Sequence, residues 1–297
     1  MIGFGGPTRA DEVRPFLDNV LRGRPIPRER YEEVVHHYDL LGGRSPYNDL
    51  TMRQAAALRE QLAKKGVRVP VAVGMREWEP YVADAIRALA DGGARRVLGF
   101  IMAAHRSEAS FERYQATVND ARAGLGEAAP EVVYPQPWHD HPLFIAALAE
   151  RTREAYARLD EQARSHARLI FTAHSIPLAM AQAGPYVKQL AQSAWMVAAK
   201  LGIGGWKLAY QSRSGNPREA WLEPDIKDTL ASLDTKAAVV VPIGFLCDHV
   251  EVLYDLDIAA AQIAREAGIR MERAPTVGDH PLFIEMMASI IAAYARS

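Results

Sequence analysis

The chain has 297 residues, enough for two domains of ordinary size and for a fold held by hydrophobic burial without disulfides or a structural metal. Lys plus Arg number 35 against 36 Asp plus Glu, and the net charge of −1 offers nucleic acid no broad positive field. A single cysteine, Cys247, excludes a disulfide framework, a zinc finger and an all-cysteine iron–sulfur cluster, and 49% apolar with 24% charged residues describes a folded cytoplasmic protein.

The N-terminal stretch Met1-Ile2-Gly3-Phe4-Gly5-Gly6-Pro7 lacks the regions of a secretion signal. It reads as a short strand entering a glycine-rich turn, and it matches neither the Walker pattern nor a complete dinucleotide fingerprint. Buried parallel strands are expected at 69–73, 96–102, 169–172, 206–210 and 238–243. Between and after them, 82–89, 144–156, 187–200, 226–233 and 282–294 carry apolar residues at helical spacing. This alternation predicts an α/β fold in which helices cover parallel sheets. The longest apolar run, 237–247, holds Pro242 and Gly244 and falls short of the roughly 20 residues a membrane span needs, so no membrane insertion is expected.

An internal repeat divides the chain. Asp140-His141-Pro142-Leu143-Phe144-Ile145 recurs as Asp279-His280-Pro281-Leu282-Phe283-Ile284, 139 residues later. Upstream, Trp78-Glu79-Pro80 leads through a helix to Gly99-Phe100, just as Trp221-Leu222-Glu223-Pro224 leads to Gly244-Phe245. The ordered echo predicts a duplication: two open α/β units, 1–155 and 156–297, with ligand in the cleft between them.

Two segments carry candidate chemistry. His174 ends the strand Leu169-Ile170-Phe171-Thr172-Ala173, the place where parallel sheets put binding residues. The second segment, Pro242 to Asp257, contains Asp248, His249, Glu251, Asp255 and Asp257. A plain reading makes Asp248 and Glu251 the N-cap and third residue of a capping box. A chemical reading notes that Glu251 and Asp255, four apart, share one helix face. An imidazole beside such carboxylates suits a borderline divalent metal together with proton transfer. Arg22, Arg24, Arg28 and Arg30 crowd into nine residues, and Arg44 and Arg76 stand beside glycine-containing turns. They suit carboxylate recognition or, more simply, a solvated helix connection.

These residues resemble the ferrochelatase family over nearly the whole chain. The carriers are Gly5-Gly6-Pro7, Gly42-Gly43-Arg44-Ser45-Pro46, Gly74-Met75-Arg76-Glu77-Trp78-Glu79-Pro80, Phe171 to Pro177 with Tyr186, Tyr210-Gln211-Ser212 with Trp221 to Pro224, and Pro242 to Asp257. The resemblance implies two chelatase-like Rossmann domains and insertion of ferrous iron into a porphyrin, with release of two protons. It places the family's histidine on His174 and its glutamate on Glu251, both catalytic and metal-binding. Neutral His174 would take the pyrrole protons, Asp255 would continue a proton path, and His249 would position the loop. The next rung of the acidic ladder is Ala259. Phe4, Arg22, Ser45, Arg76 and Tyr114 fall on porphyrin-binding positions. The arginines of 22–30 resemble those of relatives acting on coproporphyrin III, which favours it over protoporphyrin IX. No cofactor beyond the substrate iron is implied. Competing expectations are a cobalt or nickel tetrapyrrole chelatase and a non-catalytic porphyrin or haem carrier.

Overall fold

In the computed structural model, which describes residues 1–214 and 219–296, the chain forms two units, each built on parallel strands. One comprises 1–103, 108–136 and the residues from Phe283 on; the other comprises 104–107 and 137–282.

The first unit contains β1 (Ile2–Gly3), α1 (Val13–Leu21), α2 (Arg28–Leu40), α3 (Tyr47–Lys64), β2 (Gly74–Met75), α4 (Val82–Asp91), β3 (Arg96–Leu98), α5 (Arg113–Ala123) and β4 (Glu131–Val133). β1 pairs with β2, and β3 with β4. The chain beyond β3 reaches β1, where Ile2 donates its amide to Phe100 at 2.8 Å and Met102 donates to Ile2 at 2.9 Å. The strands therefore run β2-β1-β3-β4. Ile2, Val82, Ile86, Ile101, Tyr114 and Val118 are buried together, with Phe4 packed against them.

The second unit contains α6 (Pro142–Ala157), α7 (Glu161–His166), β5 (Arg168–His174), α8 (Leu178–Ala183), α9 (Tyr186–Leu201), β6 (Trp206–Gln211), α10 (Ile226–Ala231), β7 (Ala237–Val241), α11 (Val250–Val252), α12 (Ala261–Glu266) and β8 (Arg270–Arg273). Its four parallel strands run β6-β5-β7-β8. Residues 169–173 and 237–241 are buried throughout, as expected of central strands covered on both faces. The last helix, α13 (Pro281–Arg296), is held beside the end of α3 of the first unit by its C-cap Lys65, which pairs with Glu285 at 2.5 Å.

In chain order the two sheets have one topology: second strand, first, third, fourth. The repeat extends to turn detail. Met75 donates its amide to Pro80 at 2.7 Å, and Tyr210 donates to Pro224 at 2.9 Å. His141 and His280 each cap a helix by accepting the amide of Leu143 and Leu282 through Nδ1, both at 3.2 Å. Gly3 pairs with Met75 and Ala173 with Tyr210, so Phe4 and His174 occupy corresponding positions.

Several boundaries differ from expectation. The chain crosses between units near residue 136 instead of 155, because α6 packs on α9 and buries Phe144, Ile145 and Leu148 in the second unit. Residues 69–73 form no strand, although Ala72 accepts from the Met1 amine at 2.8 Å, and the strand forms at Gly74–Met75. The acidic segment is not an ordinary α-helix: after one turn it widens into a π-helix over Leu253–Ala260. A π-turn at Glu108–Glu112 likewise precedes α5.

Candidate active site

His174 is the last residue of β5, paired with Gln211, the last residue of β6. The close approach of Gly244 lets the chain after β7 pass alongside: a Cβ there would lie 2.6 Å from the Ala173 side chain. Glu251 then opens α11, where His249 is the N-cap and accepts the Glu251 amide through Nδ1 at 3.2 Å. Asp248 is therefore not the cap. Its carboxylate turns away to Arg273, and the capping-box reading is corrected. Val252, Leu256, Ala260 and Ala264 all enter the core, so residues four apart keep to one face through the π-turn. Glu251 and Asp255 form the adjacent row.

His174 Nε2 lies 3.7 Å from Glu251 Oε1. On the other side of the ring, Nδ1 meets the Ser175 carbonyl. A carbonyl only accepts, so Nδ1 carries a hydrogen, and Nε2, facing Glu251, is the nitrogen that takes up or gives up the second proton. Burial alone pushes this histidine down. The Glu251 carboxylate, the contact to it, the Ser175 carbonyl and Asp255 together hold it above its ordinary value. Glu251, Ser175 and Asp255 thus offset the penalty of burial and favour the protonated ring.

Neighbouring side chains fix this arrangement. Tyr186 donates its hydroxyl to the His174 carbonyl at 3.0 Å, and Gln211 donates Nε2 to the Glu251 carbonyl at 3.1 Å. Ser212, in the left-handed region at φ 60°, donates its hydroxyl to Asp255. Burial raises Asp255 to about 6, assisted by the Glu251 charge and opposed by Ser212 and His174. His249 packs edge-on against Phe245 with ring centroids 5.2 Å apart, and burial pushes it below the usual histidine value. Among the described residues, no group of three His, Cys, Asp or Glu side chains converges as a metal cage.

The first unit gathers the other expected residues. Phe4 donates its amide to the Tyr47 hydroxyl at 2.9 Å, and its ring stands edge-on to Phe16 at 6.2 Å. Gly5 takes φ +94°, and a Cβ on Gly6 would lie 2.7 Å from buried Ser45. Ser45 thus lies directly against the turn that follows Phe4. The Arg76 guanidinium lies over the Tyr114 ring, 5.7 Å from its centroid. Glu77, only 3% exposed, joins Arg76 at 3.0 Å and Arg22 at 3.4 Å. Burial lowers Arg76, while the Glu77 charge opposes that fall. Glu77 went unread as a site residue in the sequence; the adjacent Arg76 was the available signal. Other arginines of 22–30 serve locally: Arg24 caps α1 through the Val20 and Leu21 carbonyls, and Arg30 pairs with Glu33 at 2.7 Å.

Among the described residues, no helix is long and apolar enough to cross a membrane. A family model described as Ferrochelatase matches residues 1–295. A ferrochelatase of Rhodopirellula baltica is 42% identical over 295 residues, which cover 98% of this chain and 84% of that protein. A coproporphyrin III ferrochelatase of Mycolicibacterium smegmatis is 43% identical over 297 residues, 98% of this chain and 87% of that protein. Among solved structures, SirB from Bacillus subtilis with Fe3+ aligns at TM-score 0.58 and 14% identity, covering 82% of this chain and 89% of that one. CbiX, described as the terminal enzyme of sirohaem biosynthesis in denitrifying bacteria, aligns at TM-score 0.55 and 18% identity, covering 84% and 93%. These two structures share the chelatase-like fold.

Proposed function

The chain belongs to the ferrochelatase family and is a metal chelatase that inserts iron into a porphyrin; we propose that its porphyrin is coproporphyrin III and that His174, Glu251 and Asp255 handle metal and protons. The observation that carries this reading is the 3.7 Å approach of His174 Nε2 to Glu251 Oε1 with Asp255 beside them.

A free-base porphyrin holds two pyrrole N–H protons where the metal must bind. Each ferrous ion inserted therefore expels two protons, and the site needs a base within reach of the ring nitrogens. The Ser175 carbonyl fixes the tautomer of His174 so that Nε2 accepts a proton. Glu251, whose side chain is 49% exposed, then stabilises the imidazolium and offers an oxygen donor to the arriving iron. Asp255, poised at about 6, takes protons up and releases them near neutral pH. Nε2 of His174 can serve the metal only while it carries no proton, so at most two protein donors, His174 and Glu251, would hold iron, loosely enough to surrender it to the four nitrogens of the ring.

Substrate choice rests on charge. Coproporphyrin III carries four propionates and protoporphyrin IX two. Arg22 and Arg76, braced by Glu77, would hold propionates, with Phe4, Ser45 and Tyr114 lining the apolar macrocycle. The test is anaerobic Fe(II) insertion followed by absorbance with each porphyrin. Higher kcat/KM for coproporphyrin III is expected. Preference for protoporphyrin IX would refute the substrate assignment, and stoichiometric binding without turnover would refute the enzyme.

A further inference from the structure

Four carboxylates crowd the segment 248–257, and the structure sorts them into two pairs. Glu251 and Asp255 both act on His174. Asp248 and Asp257 are both taken by Arg273, the last residue of β8. Nε and Nη2 of Arg273 donate to the two oxygens of Asp257 at 2.7 Å each, and Nη1 donates to Asp248 at 2.7 Å. Nη1 also reaches the Ala274 carbonyl at 3.2 Å, and the Thr276 amide approaches the same Asp248 oxygen at 3.3 Å. The Arg273 side chain is 15% exposed, so water screens these pairs weakly. The planar fork satisfies one carboxylate bidentately while its remaining nitrogen reaches another, which a lysine cannot reproduce.

The two partners flank the reactive carboxylates. Asp248 stands three residues before Glu251, in the loop that His249 closes, and Asp257 stands two residues after Asp255, inside the π-turn. The ends of this segment are thereby tied to β8, whose neighbour β7 leads into the same loop. We propose that Arg273 is a positioning residue for metal insertion: it fixes the Glu251–Asp255 row against His174 and keeps Asp248 and Asp257 from competing for the metal. The link to insertion rests on the functional reading above; the clamp itself does not.

The test compares the full-length wild type with Arg273→Gln and Arg273→Lys, using hydrogen exchange alongside Fe(II) insertion into coproporphyrin III. Arg273→Gln should speed amide exchange across 248–260 about tenfold while leaving β5 and β6 protected. Its kcat should fall about tenfold or more with porphyrin KM within about twofold, as expected when reacting groups lose their alignment. Arg273→Lys, keeping charge without the fork, should recover part of the kcat. Unchanged exchange in 248–260 would overturn the clamp. Equal loosening of the whole unit, or kcat and KM failing together with no recovery by lysine, would reduce Arg273 to a structural ion pair. Should Arg273→Gln fail to fold, Asp257→Asn removes the more exposed partner and must show the same local pattern. An inert wild type would sink the functional reading, and the exchange experiment would still decide the clamp.

Discussion

Phe4 and His174 stand at the same place in two copies of one topology, each one residue beyond the corresponding pair, Gly3 with Met75 and Ala173 with Tyr210. Beside Phe4, whose carbonyl accepts the Glu77 amide at 2.8 Å, that buried glutamate pairs with two arginines. Beside His174 stand the carboxylates of Glu251 and Asp255, with a carbonyl fixing the ring. The scaffold supplies a position, and the side chains placed there decide its chemistry. On the proposed reading, the residues around Phe4 would hold a flat apolar ring and its carboxylates, and those around His174 would move protons and hold a cation.

Four substitutions probe this contrast. Glu251→Gln removes the charge that raises His174, and kcat should fall about 100-fold. In the wild type, kcat/KM should decline as pH falls through the His174 pKa, which Glu251 holds above the ordinary histidine value against burial. In Glu251→Gln that acidic limb should move to lower pH; a limb that stays put would detach Glu251 from His174. Arg76→Ala should raise KM for coproporphyrin III about tenfold with little change in kcat, since it removes a substrate-binding charge and not a proton acceptor. A dominant loss in kcat would blur the division between the two ends.

Asp255→Asn separates stability from function. Burial lifts the native Asp255 from 3.8 to about 6, so the fold loses stability as pH rises through that interval and the carboxylate ionises. The asparagine variant should be more stable than wild type by about 1–3 kcal/mol at pH 7 and gain nothing at pH 3, by denaturant titration. Its kcat should drop several-fold. Equal stability at both pH values would contradict the burial argument. Phe4→Leu should have the smallest effect, lowering kcat/KM about threefold through KM.

Much of this was legible in the sequence, for physical reasons that also mark its limits. Leu169 to Ala173 and Ala237 to Val241 are buried on both faces, so runs that are apolar apart from Thr172 announce them. β1, β2 and β4 have two or three residues, too few for a period to show. The repeated Asp-His-Pro-Leu-Phe-Ile revealed two related halves. It could not reveal that α13 returns to the first unit, which depends on Glu285 meeting Lys65 far away in sequence. His174, Glu251 and Asp255 stood out because their motifs are local. Arg273 did not, because its partners lie 25 and 16 residues away and nothing in its own surroundings signals them. The π-turn was likewise hidden, since four-residue spacing reads as an α-helix face.

The most direct test is a single turnover of His174→Ala. The variant is saturated with coproporphyrin III, mixed anaerobically with ferrous iron, and followed by absorbance. If His174 is the proton acceptor, the bound free-base spectrum persists with insertion slowed at least about 100-fold. Conversion to the metalloporphyrin at the wild-type rate would place the base elsewhere and contradict the account.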